Sequence, residues 1–487
     1  MHIQSFLKTI KLTVIISTLS VPVAPKEHNW DWEKIDAYSV KKLAKKLAPS
    51  FPKEFNWGVA LAEYQNSGAK NCPHSDWSLW EKDGHILNKE QSGASCDHWN
   101  KIKQDIELIK NLGLNACRFS VEWSTIEPQE GKWDLTALQH YVDEVKALRA
   151  ANIKPMITLL HFSKPQWFAD KGGFEKEKNI KYFVRFCKKV FKELNPHVSL
   201  WCTINEPTIE MFSGYWRETF PPGKCNLTLG GTVLKNLLIA HTRVYTALKK
   251  LPGGKNTQIG IVHQHLKFKP LDKNSATDSK AAQYLTHVST EAAYSFFKTG
   301  QYRFKVVPKA ESFFKKLSNL SILPEIIDYS KPTITYNDPS APQKIDFIGL
   351  NYYSVIYLNK NSIAYRPKDI ITDMPYAINA EGLYQAIVDM SDIGKHAGKN
   401  IPIYITENGI SDERDDGRRK TWIKRHMFAL SRALLDGYNV RGFYYWTLMD
   451  NFEWDSGTTQ HFGLYTKNRE LRKGSKAYMA FTKQNTD

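Results

Sequence analysis

Residues 199–205 read SLWCTIN, and Glu206-Pro207 follow at once. An apolar run that ends on a carboxylate needs a reason, because an ionised group is costly to take out of water. The pattern returns at residues 401–408, IPIYITEN, with Glu407 just before the asparagine. Working outward, further short apolar runs appear at 55–61 (FNWGVAL), 115–123 (NACRFSVEW), 154–161 (KPMITLLH), 258–264 (QIGIVHQ), 346–353 (DFIGLNYY) and 441–448 (RGFYYWTL). Between several of them, stretches such as 100–113 and 138–152 repeat apolar residues at three and four, the period of a helix buried on one face. Strands apolar throughout and separated by helices imply a parallel sheet covered on both faces. Eight such units predict an α/β fold, a single (β/α)8 TIM barrel with long βα loops.

Residues 51–487 contain no Gly-, Ser- or Pro-rich linker and no repeat beyond this rhythm, so they read as one catalytic domain. The longest interval, 267–343, has room for more than one helix plus irregular chain. Sites in such barrels lie at the C-terminal ends of the strands. Arg118 and Glu122, His161, Asn205 and Glu206, Asn351 and Tyr353, Glu407 and Trp446 all fall there. Unrelated strand caps would not gather so at one end. Two carboxylates at one mouth, with no histidine cluster to hold a metal, suggest cleavage of a glycosidic bond without a cofactor.

TINEP (203–207) and YITENGI (404–410) resemble the acid/base and nucleophile signatures of glycoside hydrolase family 1, the retaining β-glucosidases and their relatives. FNWGVALAEYQ (55–65), RFSVEW (118–123), TLLHF (158–162), DFIGLNYY and WTLMDNFEWDSGTTQHFGLY (446–465) follow in the family's order across 51–487. The resemblance implies Glu206 as general acid/base and Glu407 as nucleophile, with Arg118 and Tyr353 holding the latter. It implies that Asn205 bonds the sugar 2-hydroxyl, that Gln65, His161, Glu453 and Trp454 contact the glycone, and that Trp446 forms its floor. Asn351 stands in support, and Trp123 is expected as a second aromatic wall; plain core packing is the alternative for both Trp123 and Trp446. For His161 the alternative is a structural hydrogen bond at a strand end.

Phospho-glycosidases of this family carry Ser, Lys and Tyr where this chain has Glu453, Gln460 and Phe462, so the implied substrate is an unphosphorylated β-D-glucoside or β-D-galactoside. Glu206 also departs from the myrosinase branch, which has Gln there. His161-Phe162, Gln65-Asn66-Ser67-Gly68 and Glu122 differ from the usual pattern, and leave glucose, galactose, fucose and mannose open as glycones. Transfer of the sugar to an alcohol or lipid is the rival reaction. A non-catalytic carbohydrate-binding barrel is the rival class, opposed by the intact carboxylate pair.

The net charge of +17 predicts a basic, solvated surface. No arginine-rich arm, zinc-finger spacing or RNA-binding signature points to nucleic acid. VKKLAKKLA (40–48) places lysines along one side of a helix, a solvated face or a weak membrane-surface contact. Cys72 and Cys96 share a loop-rich stretch and are candidates for a disulfide, whereas Cys117 and Cys202 read as buried thiols. Residues 1–20 read as a signal peptide and 21–50 as an extension, so export is expected, with a membrane anchor or a cytoplasmic protein as alternatives. Asn226 and Asn319 open Asn-x-Ser/Thr triplets. Oligomeric state is open.

Overall fold

A computed structural model describes residues 30–307, 327–360 and 362–485. The signal-like segment 1–20 and Asn319 lie outside the described residues. Eight parallel strands close a barrel: β1 (Asn56–Ala60), β2 (Ala116–Ser120), β3 (Lys154–Thr158), β4 (Leu200–Asn205), β5 (Gln258–Gln264), β6 (Phe347–Asn351), β7 (Ile403–Asn408) and β8 (Val440–Trp446). Each coincides with one of the apolar runs. Closure is direct, with Asn56 beside Gly442 and Ala60 beside Trp446 across β1 and β8.

The strands form here because nearly every residue in them is buried, inside against the barrel core and outside against helices. Met156, Cys202, Val262, Phe347, Tyr404 and Tyr444 belong to the interior cluster. Room for Phe347 depends on Gly260, since a Cβ there would lie 2.5 Å from the Phe347 carbonyl oxygen. The outer helices show the expected periodicity. In Ile180–Leu194 the buried positions are Ile180, Phe183, Phe186, Cys187, Val190, Phe191 and Leu194, a three-and-four repeat. Helix Leu135–Ala150 starts at Asp134, whose Oδ1 accepts from the Ala137 amide at 2.9 Å.

From Trp32 on, the expected N-terminal extension builds two short helices on the barrel's flank. Trp32 Nε1 donates to Glu381 at 2.6 Å, and Arg425 pairs with Asp36 at 2.6 Å. In the lysine-rich helix Val40–Leu47, Leu43, Ala44 and Leu47 are buried while Lys41, Lys42, Lys45 and Lys46 face solvent. Its apolar stripe packs against helices Lys476–Thr482 and Arg418–Leu435.

The candidate disulfide is absent: Cys72 and Cys96 are both free thiols. Cys96 Sγ instead donates to the Asn66 carbonyl at 3.2 Å, and Cys72 is packed with Tyr64 and Trp77. Glu122 does not reach the barrel mouth. It caps the short helix Trp123–Ile126, where its Oε1 accepts from Ser124 Oγ at 2.7 Å and Ser163 Oγ at 3.0 Å.

Candidate active site

Glu206 and Glu407 stand at the same mouth, one after β4 and one on β7, with β5 and β6 between them. Glu206 takes a left-handed backbone conformation (φ 41°, ψ 62°) as the N-cap of helix Pro207–Tyr215. That conformation is uncommon for a residue with a side chain and occurs at sites that need a particular aim. Pro207 then opens the helix, where its missing N–H costs nothing.

Glu407 is buried between donors. Arg118 Nη1 lies 2.5 Å from its Oε1, and the Tyr353 hydroxyl donates to Oε2 at 2.9 Å. Arg118 is itself enclosed on β2, with Nε donating to Thr158 Oγ1 at 3.0 Å and Nη2 to Asn205 Oδ1 at 2.7 Å. Burial works against its charge, but the neighbouring Glu407 wins and raises its pKa. An enclosed guanidinium with all three nitrogens bonded makes a charge-assisted pair with Glu407.

Glu206 sits in the opposite electrostatic situation. Burial, then the negative charge of Glu407, push its pKa well above the usual carboxylate range. Asn351 Nδ2 donates to its Oε1 at 2.7 Å, and the Gln264 amide donates to the same oxygen at 2.7 Å in the orientation that satisfies both ends of that amide. Asn351 is aimed by Thr406, whose hydroxyl donates to Asn351 Oδ1 at 2.7 Å.

Around the pair lies a cleft of about 460 Å³. Asn205 donates through Nδ2 to His161 Nε2 at 3.2 Å. Burial, and then Arg118, hold the His161 pKa well below its ordinary value, so the imidazole is neutral. With Nε2 accepting, Nδ1 carries the proton, and it has no protein partner. Gln65 Nε2 donates to Glu453 Oε2 at 3.0 Å while Gln65 Oε1 is likewise unpartnered. Burial, then Glu407, raise Glu453 to about 8. Trp446 and Trp454 each lie 6.0 Å from the His161 ring at shallow angles.

Nine of the ten other expected site residues meet at this mouth or touch one that does. Trp123 does not. It lies 5.1 Å from Phe186 and 4.7 Å from Phe168 in the layer between barrel and helices, and bonds Glu127 at 2.9 Å. Its strand-end position looked like a wall, but the chain turns into a helix there and carries the indole outward. Gln264 was missed, although it is the last residue of β5 and so occupies the same strand-end position as Asn205 and Asn351. Tyr376 and Arg217 also line the cleft, from loops where no pattern marks them.

Asn408 does not point into the cleft; its amide donates to the Tyr352 carbonyl and ties β7 to the loop after β6. Gly409 is required next, because any Cβ there would strike the Trp446 carbonyl oxygen.

Several buried acids near the barrel mouth make stability depend on pH. Burial raises Glu63 and Glu122 to about 7, beside Glu453 at about 8. Each binds its proton more tightly folded than unfolded, so the folded state holds more protons between pH 4.5 and 8, and stability falls as pH rises through that window. We expect the melting temperature to drop by on the order of 5–10 °C between pH 6 and pH 9. Glu63→Gln with Glu122→Gln should flatten that slope in a thermal-melt series. A melting temperature that climbs over this range would contradict it.

The profile of "Glycosyl hydrolase family 1" matches residues 47–486. Beta-glucosidase A of Acetivibrio thermocellus is 29% identical over 459 residues, covering 90% of this chain and 99% of that protein. Among solved structures, a beta-glycosidase from Pyrococcus horikoshii superposes with a TM-score of 0.75 at 30% identity, covering 89% of this chain and 95% of the other. The beta-glucosidase from Thermotoga maritima in complex with castanospermine gives 0.76 at 27% identity, covering 89% and 98%. With matched sequence, barrel and strand-end carboxylates together, this chain belongs to glycosyl hydrolase family 1 and is a glycoside hydrolase.

Proposed function

We propose that the protein hydrolyses unphosphorylated β-D-glucosides and β-D-galactosides with retention, by double displacement. The reading is carried by the unequal electrostatics of one carboxyl pair: Glu206 is pushed to hold a proton while Glu407 lies against Arg118 and Tyr353. A carboxyl pushed to keep its proton, beside one salt-bridged to a guanidinium, suits an acid and a nucleophile.

Glu407 attacks the anomeric carbon as the glycosidic bond breaks, and Glu206 passes its proton to the departing oxygen. A covalent glycosyl-enzyme forms on Glu407. With one negative charge consumed, Glu206 loses part of what raised its pKa and is ready to act as a base. It takes a proton from water, whose oxygen attacks the same carbon; Glu407 leaves as a carboxylate and Glu206 is protonated again. The separation suited to this chemistry is about 5–5.5 Å. Oxocarbenium character in the transition state strengthens bonds to the 2-hydroxyl, which Asn205 is placed to make beside Arg118.

The unpartnered His161 Nδ1 and Gln65 Oε1 supply one donor and one acceptor for glycone hydroxyls, since buried polar atoms otherwise find partners. Glu453 adjoins Gln65, and a carboxyl there brings no positive charge to balance a sugar 6-phosphate. A panel of nitrophenyl glycosides tests the assignment. Turnover is expected on β-glucoside and β-galactoside, with at least about 100-fold less on the 6-phosphorylated forms. Preference for the phosphorylated forms, or for α-glycosides, would overturn it.

A further inference from the structure

Beyond the carboxylates the cleft changes chemistry. Three short strands outside the barrel, Lys267–Pro270, Val355–Asn359 and Ser362–Ala364, form a small sheet at its mouth. Phe268 pairs with Ile356 and Pro270 with Leu358, while Leu358 also pairs with Ile363. Paired residues share a face of a sheet. Phe268, Ile356, Leu358 and Ile363 are therefore one apolar plate, and all four line the cleft.

The alternate positions face the other way and, Val355 and Ala364 apart, are polar or amphipathic. Lys267 pairs with Asp389 at 3.3 Å, and the Arg366 guanidinium lies over the Tyr357 ring at 5.2 Å. The outer edge of strand Lys267–Pro270 is closed by side-chain hydroxyls from helix Ala276–Thr286 and the wide turn that continues it. The Phe268 amide donates to Thr286 Oγ1 at 3.0 Å, and Thr290 Oγ1 donates to the Leu266 carbonyl at 2.8 Å. Strand Lys267–Pro270 is thus fixed along both edges, by strand Val355–Asn359 on one and by these hydroxyls on the other.

The plate begins where the acid ends. Gln264, which bonds Glu206, is followed at every second residue by Leu266 and Phe268, both in the cleft wall. On the other flank Ile209 and Phe212, from the helix that Glu206 caps, line the same space. The oxygen that Glu206 protonates belongs to the leaving group, so this is the space the leaving group enters.

Resting on the double-displacement reading, the geometry points to an extended aliphatic aglycone: the substrates this site favours are β-D-glucosides of long-chain alcohols. Three strands spaced about 4.8 Å apart make a surface about 10 Å across, longer than one benzene ring. Branched Leu and Ile side chains cover most of it, which suits an alkyl chain better than a flat ring. A second sugar laid on it would lose water from its hydroxyls with no partner on the plate.

Calorimetric titration of the full chain with n-alkyl 1-thio-β-D-glucosides, from methyl to octyl and below their micellar concentrations, tests this directly. The sulfur link resists cleavage, so binding is read apart from catalysis. The dissociation constant is expected to fall about threefold to fourfold per methylene from butyl to octyl. Hexyl should bind more tightly than phenyl thioglucoside or thiocellobioside. In Phe268→Ser and Ile363→Ser, chosen because neither residue is fully buried, the octyl-to-methyl affinity ratio should drop about tenfold. A flat chain-length series, a preference for phenyl or thiocellobioside, or an unchanged ratio in both variants would overturn the inference. If the thioglucosides bind as expected but octyl O-glucoside is not turned over, the catalytic reading fails and the aliphatic groove stands.

Discussion

Glu407→Ala is expected to lower kcat on β-glucosides by on the order of 10⁵-fold, since it removes the atom that forms the covalent intermediate. The loss should fall on kcat for every substrate cleaved, whatever its leaving group. Arg118 and Tyr353 would then face a void the size of a carboxylate. A small anion such as azide or formate can occupy that void, pair with Arg118 and attack the anomeric carbon from the same side. Partial recovery of turnover by azide, with a glycosyl azide of inverted configuration as product, is the expected signature. Truncating one partner of a buried ion pair also costs about 3–5 kcal/mol of stability, because the other charge is left alone. Glu407→Gln keeps the shape and separates that cost from the chemical one. Full turnover in both variants would remove Glu407 from the mechanism.

Glu206→Gln should show a different pattern, because a missing acid matters only as much as the leaving group needs a proton. For an alkyl glucoside, whose alkoxide leaves poorly, kcat/KM is expected to fall about 10³-fold; for a dinitrophenyl glucoside the loss should be about tenfold or less. The second step still lacks its base, so the glycosyl-enzyme accumulates on activated substrates and KM falls together with kcat. The pH profile adds a readout that a structural role would not move. In the native protein kcat/KM should decline on the alkaline side as Glu206 loses its proton, at a pH well above the ordinary carboxylate range. That limb should vanish in the variant. Gln retains an oxygen for the Asn351 amide, so folding is expected to survive. Equal losses on alkyl and dinitrophenyl substrates would rule out acid catalysis by this residue.

The eight barrel strands were legible because burial on both faces leaves unbroken apolar runs, a pattern that needs no knowledge of partners. Strand ends point to one mouth in this architecture, so Asn205, Asn351 and Glu407 could be gathered from position alone. Positions just past a strand were less secure. At Glu206 the chain turns left-handed and keeps its side chain in the cleft, while at Glu122 it caps a helix and takes Trp123 away into the aromatic layer. Local sequence does not distinguish those two outcomes. The sheet beside the cleft was unreadable for a different reason. Its strands at 267–270 and 355–359 pair in parallel across a long stretch of chain, and such register follows from tertiary packing rather than from neighbours in sequence. The pairing of Cys72 and Cys96 stayed open in the sequence because proximity along the chain says nothing about the separation of two sulfurs. Gln264 could have been found by applying the strand-end rule to β5 as it was applied to β4 and β6.

The central claim is that one carboxylate attacks and is then displaced, and the configuration of the first product reports on it directly. Proton NMR during early turnover of a β-glucoside, before the free sugar equilibrates, should show the β-anomer of glucose appearing first, with the α-anomer growing in later by mutarotation. The α-anomer as first product would mean a single displacement by water, and would contradict the roles assigned to Glu206 and Glu407.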